Sequence, residues 1–341
     1  MLKSLFLGFV LCFFSIQNTH ADNLLRGAAV TESIDEAGIA KLGSLWNANA
    51  VRYQLIYDGV VDNSTEESYN EWLDRALLRL DELLPIFEAH KLKVVLDLHY
   101  PVGGYVSRKS PSWHRIFAEK WAADATVAVW RKIATKYADN QTVYAYEILN
   151  EPAERKVSKG LKNWNLLALE IAEAIREVDT MHRIIVSPKY GNSEFFTAFK
   201  PLKVKDVDYT FHFYYPRNFT HQGLYGLKKG VKYPSKNQNK NSLTKTMRKA
   251  VRFMKKYKVK IYVTEFSVVR WAPAKTGGRY LADLISTFER SKFSGWVILG
   301  FEDQSPFTVD AGSDPKDASP QTTLTDRAKV LIRYFRKNTK I

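Results

Sequence analysis

Cysteine is almost missing from this chain of 341 residues: Cys12 stands alone. A disulfide scaffold is excluded, and so is a thiolate metal centre. The segment Leu5 to Phe14 is apolar but too short to span a bilayer. No internal repeat and no Pro/Ser/Thr-rich linker is present, so no appended module is visible. His114, His182 and His221 have no metal-ligand spacing with one another. Acidic residues are few beside basic ones, 36 against 51, giving a formal charge of +15. The excess is spread out, densest in Lys228 to Lys245 and Arg333 to Lys340, and no nucleic-acid motif accompanies it. A solvated basic surface is expected, with attraction to an anionic cell envelope or to acidic polymers as the sharper reading.

The first 21 residues have the form of a secretory signal. Met1-Leu2-Lys3 is a basic start, the apolar run follows, and Thr19-His20-Ala21 is an acceptable cleavage site. Leu11 before Cys12 does not suit a lipoprotein signal. A mature chain beginning near Asp22, without a membrane span, is therefore expected outside the cytoplasm, secreted or periplasmic. Residues 22–341 then form one domain, and a monomer is expected. With no cross-link available, a core of that size is stable unaided.

Strand-like runs alternate with helix-like runs along the whole domain. The strands are read at 24–30, 50–57, 93–100, 143–149, 183–188, 208–215, 260–266 and 295–301. Amphipathic stretches lie at 34–45, 67–90, 113–138, 161–179, 243–257, 279–292 and 326–338. This alternation predicts an α/β fold, a single (β/α)8 TIM barrel. The longest irregular segment is read at 216–241, functional or mobile by its length.

In such a barrel the chemistry gathers at the carboxyl ends of the strands. Strand two delivers Arg52 there, strand three His99, and strand four Asn150 and Glu151. Strand six delivers His212 and Tyr214, and strand seven Glu265. Pro152 ends strand four, because proline cannot donate to the ladder. Two carboxylates facing one bond are the apparatus of glycoside hydrolysis, one protonating the leaving oxygen and the other attacking or activating water. His212 is placed to hold the acid. Arg52 and Tyr214 are placed to favour an ionised partner. Glu147, deeper in the barrel, is read as a structural hydrogen-bonding group, and Trp271 as a residue that either packs or stacks on sugar.

Asn150-Glu151-Pro152 and Thr264-Glu265-Phe266 resemble glycoside hydrolase family 5, the cellulase family. So do Asn49-Ala50-Val51-Arg52, Asp97-Leu98-His99 and His212-Phe213-Tyr214, in the same order along nearly the whole chain. The resemblance implies a retaining mechanism with Glu151 as acid/base and Glu265 as nucleophile. Arg52, His99, Asn150, His212 and Tyr214 would surround the sugar. It implies no metal and no organic cofactor. The expected substrate partner is an oligo- or polysaccharide, a β-linked glucan, mannan or related glycoside. A transglycosylase using the same carboxylates, and a carbohydrate-binding barrel without turnover, are the rival readings. One departure concerns strand eight, where the family places a tryptophan as a platform beneath the sugar. Here Trp296 comes early, on the face opposite Leu299 and Phe301, which leaves one of those two at the platform.

Overall fold

A computed structural model describes residues 24–339. Eight parallel strands close into a barrel in which each strand pairs with its sequence neighbours and the eighth returns to the first. They are β1 (Leu25–Val30), β2 (Ala50–Leu55), β3 (Lys93–Leu98), β4 (Val143–Glu147), β5 (Arg183–Val186), β6 (Val207–Phe213), β7 (Ile261–Phe266) and β8 (Gly295–Ile298). Each expected strand is present, most of them shorter at the carboxyl end. The proposed signal, residues 1–21, lies outside the described residues. No helix among the described residues is long and apolar enough to cross a membrane.

Strand alternation sorts the core into two shells. Leu25, Ala50, Val95, Ala145, Ile185 and Tyr262 fill the barrel interior. Their neighbours, such as Val51, Leu96, Tyr146 and Val263, point outward into the layer beneath the helices. Helix 66–89 shows how the sequence builds that layer. Thr65 and Ser68 cap it reciprocally, and Trp72, Leu73, Ala76, Leu77, Leu80 and Leu84 face inward at helical spacing.

Three expectations are corrected. The helix expected from residue 113 begins at Lys120. Trp113–His114 instead pairs with Tyr105–Ser107 in a small antiparallel ribbon, and Ile116 and Phe117, apolar at helical spacing, are buried in a 3-10 turn. The helix expected over 243–257 is two, Lys240–Thr246 and Arg248–Tyr257, meeting at Met247. The longest irregular segment is 299–325, after β8, and not the one after β6.

That segment is anchored by side chains from other elements. Lys41 binds Glu302 at 2.6 Å and Asp310 at 2.8 Å. Arg270 donates to the carbonyls of Asp317 and Pro315, and Arg327 to that of Ala311. The segment after β6 is stapled as well. Gln222, fully buried, donates to the carbonyl of Val231 and accepts from its N–H at 3.0 Å.

Candidate active site

All seven residues singled out in the sequence meet at the carboxyl end of the barrel, around the guanidinium of Arg52. Arg52 points inward from β2 and has no solvent exposure. It donates to Glu147 through Nη2 at 2.8 Å and Nε at 3.0 Å, and to Glu265 through Nη1 at 3.1 Å. Nη2 also reaches Asn150 Oδ1 at 3.0 Å and lies 2.9 Å from Asp97. Three carboxylates outweigh the cost of burial, so its proton is held even more firmly than usual. Glu147 is thus the structural group expected; Thr264 donates a further hydrogen bond to it at 3.1 Å. Burial would raise its pKa, but Arg52 and His212 hold it down at about 2.

Glu265 owes its direction to a β-bulge. Across β6, Thr210 faces Tyr262 and His212 faces Glu265; across β8, Trp296 faces Val263 and Ile298 faces Phe266. Two steps on each neighbour match three on β7, so one residue is extra. Thr264 and Glu265 consequently both contact groups inside the barrel, although they are adjacent in the chain. Glu265 accepts from Tyr214 Oη at 2.9 Å as well as from Arg52. Burial would push the Glu265 carboxyl up, but His212, Arg52, His99 and the Tyr214 hydroxyl together hold it below the usual carboxylate range.

Glu151 sits differently. β4 ends at Glu147, and Glu151 has a left-handed backbone, φ 42°. Its aim is set by a turn and not by strand alternation. The turn is tied down nearby: Ala153 N–H donates to His114 Nδ1 at 3.1 Å, His114 N–H to the Ala153 carbonyl, and Tyr190 N–H to that of Pro152. Glu151 accepts from His212 Nδ1 at 2.8 Å and is more exposed than Glu265, with side chains 42% and 10% open. Gly191 leaves room for the pair. A Cβ there would stand 3.0 Å from His212 Nδ1 and 3.1 Å from Glu151 Cγ.

Burial alone would strip the proton from His212, but Glu265, Glu147 and Glu151 raise its pKa to about 10. Its Nδ1 donates to Glu151 at 2.8 Å, while Nε2 faces Glu147 at 3.8 Å, beyond hydrogen-bond reach. One ligand atom from each of Glu151, His212 and Glu265 lies within 4.8 Å of the others. His99 stands at the rim, held by Asp97 at 2.9 Å and by Gln54 at 3.3 Å.

Strand eight corrects one expectation. Trp296 does face outward, stacked 5.4 Å from Phe335. Phe301 joins it in the outer layer and packs on Trp46 at 5.1 Å, because β8 ends at Ile298 and Gly300, at φ 87°, turns the chain. Leu299, half-buried, follows directly where β8 ends. Gln54, Thr264, His114 and Gly191 were not picked out from the sequence as site residues. For Gln54 a signal existed: a polar side chain two positions from Arg52 shares its face. For Thr264 the bulge hid it, and His114 and Gly191 reach the site from loops.

A family model described as cellulase (glycosyl hydrolase family 5) matches residues 18–297. The chain belongs to glycoside hydrolase family 5. It is an O-glycosyl hydrolase of the cellulase type, acting on a saccharide. It is 28% identical over 265 residues to Endoglucanase C of Acetivibrio thermocellus, covering 68% of this chain and 75% of the relative. It is 22% identical over 258 residues to Cellodextrinase A of Ruminococcus flavefaciens, covering 73% of each. Among solved structures, Thermotoga maritima Cel5A in complex with cellobiose superposes with a TM-score of 0.72 at 22% identity, over 92% of this chain and 98% of that one. The cellulose synthase subunit Z of Clostridioides difficile does so at 0.70 and 19%, over 91% and 99%. These two share the fold.

Proposed function

We propose that this family 5 hydrolase cleaves a β-linked glucan with retention, by double displacement. Glu265 attacks the anomeric carbon, and Glu151 protonates the leaving oxygen and then activates water. The observation that carries the reading is the spacing: a carboxylate oxygen of Glu151 and one of Glu265 lie within 4.8 Å. An inverting pair needs about 6.5–9.5 Å to admit water between the carboxyls. The environments support the division of labour. Glu265 is buried among cations and a phenol that keep it ionised; Glu151 is more open, where a proton can be exchanged with solvent. Relatives named endoglucanase and cellodextrinase support a glucan. Residues 1–21 support export, tested by sequencing the N-terminus of the native protein.

Azide separates the roles. Glu265→Ala is expected to lose turnover, and azide then attacks directly to give the inverted glycosyl azide. Glu151→Ala on a dinitrophenyl β-glycoside is expected to release a burst of phenolate and then stall, because no base activates water. Azide restores turnover there and gives the retained product. Exchanged products would exchange the assignments. Variants indistinguishable from the parent on every glycoside it cleaves would remove the mechanism.

A further inference from the structure

The segment between β6 and helix 240–246 has a one-sided charge. Residues 214–239 contain Arg217, Lys228, Lys229, Lys232 and Lys236 and no acidic residue. None of the five forms an ion pair with a described residue. All five are exposed, so water and salt screen their mutual repulsion, and together they leave the segment with a net positive charge that favours an arriving counter-charge.

The segment is held in place and begins at the reacting groups. Tyr214 donates to Glu265, and the His221 ring packs 4.8 Å from Tyr214. Tyr225 follows at 6.1 Å from His221, with the Arg217 guanidinium 5.5 Å over its ring. Lys229 lies 5.7 Å over Trp271, whose indole N–H donates to the Gln222 carbonyl. The buried Gln222 staple fixes the ends of the loop that carries Lys228 and Lys229. The segment after β4 carries Arg155 and Lys156, both exposed. Of the five acids in the segment after β8, Glu302 and Asp310 are bound to Lys41 and Asp303 accepts from Ser305, while Asp314 and Asp317 are exposed.

We infer that this hydrolase is built for an anionic glycan, a chain bearing acidic substituents that lie along the segment after β6. The inference rests on the glycoside-hydrolase reading and adds the charge class of the substrate. Exposed rings such as Tyr225 stack on sugar faces of either charge; the lysines distinguish the two.

The test compares carboxymethylcellulose with hydroxyethylcellulose of matched length, using the full chain. The parent is expected to show a higher kcat/KM on the carboxymethyl polymer, with an advantage that shrinks as salt is added. Lys228→Gln/Lys229→Gln/Lys232→Gln is expected to lower kcat/KM on the carboxymethyl polymer by about tenfold and to leave the other polymer little changed. Arg252→Gln/Lys255→Gln/Lys256→Gln removes as much charge from the helix that leads into the amino end of β7, and is expected to alter neither. Equal losses on both polymers, or equal losses from both triple variants, would overturn the inference. If neither polymer is hydrolysed, the hydrolase reading falls on its own. Retardation of the same variants in gels containing each polymer then decides the charge preference: it stands if only the Lys228/Lys229/Lys232 variant loses retardation by the carboxymethyl polymer, and falls otherwise.

Discussion

Arg52 gives Glu147 two guanidinium nitrogens and Glu265 one. The fork is divided between a structural acid and the proposed nucleophile, so the two carboxylates share one support. Arg52→Lys keeps the charge but cannot fill three positions at once. Removing one partner of a buried pair costs about 3–5 kcal/mol. Arg52→Lys is expected to approach that loss in chemical denaturation, and kcat is expected to fall at least about a hundredfold from misplacement of Glu265. Full activity in a destabilised variant would show that Arg52 only holds the fold.

The raised pKa of His212 predicts how stability changes with pH. Its folded value of about 10 lies above the ordinary 6.5. The contribution is therefore complete below pH 6.5 and is lost as pH rises towards 10. Thermal midpoints are expected to decline over that window, and His212→Asn is expected to flatten the decline. Glu147 and Glu265 act at the other end. Both are held low, so their contribution is present above about pH 4.3 and is lost as pH falls through the folded values.

Gly191→Ala tests the space beside the acid. The added methyl meets the Glu151–His212 pair at about 3 Å, on a backbone with φ 60°. A drop in kcat of about tenfold to a hundredfold is expected, with KM nearly unchanged. A loss confined to stability would place the strain elsewhere.

His114 acts on Glu151 through the backbone of its turn. Its ring is fully buried, burial holds its pKa down at about 3, and Nδ1 accepts from Ala153 N–H. His114→Asn preserves an acceptor and His114→Leu does not. The leucine variant is expected to lower kcat by about tenfold and to shift the alkaline limb of the pH profile, with the asparagine variant partly restored. Equal profiles for the two would reduce His114 to packing.

Much of this was legible in the sequence because barrel strands repeat with a fixed period. His99, Asn150, Tyr214 and Glu265 stand at or near strand ends, Arg52 and His212 point inward from within β2 and β6, and Glu151 follows β4 in its turn; the barrel brings these places together. Glu147 was readable as an interior acid because a charge within an apolar strand needs a partner inside. The hidden parts are those that do not follow the period. Trp113, Ile116 and Phe117 imitate a helix while lining a loop. Gly300 breaks the alternation that had paired Phe301 with Leu299. His114 and Gly191 come from segments whose path depends on the assembled barrel.

The extra residue in β7 makes the position of the proposed nucleophile a matter of counting. A strand offers a side chain two directions, in or out, with nothing between. Ironing out the bulge with the sequence unchanged, Thr264 keeping its inward place, would turn Glu265 outward, into the layer where Phe266 packs on Phe288 and Trp296. A more regular barrel would thus be a less capable one. In a redesign of this scaffold, idealising β7 is the change to avoid.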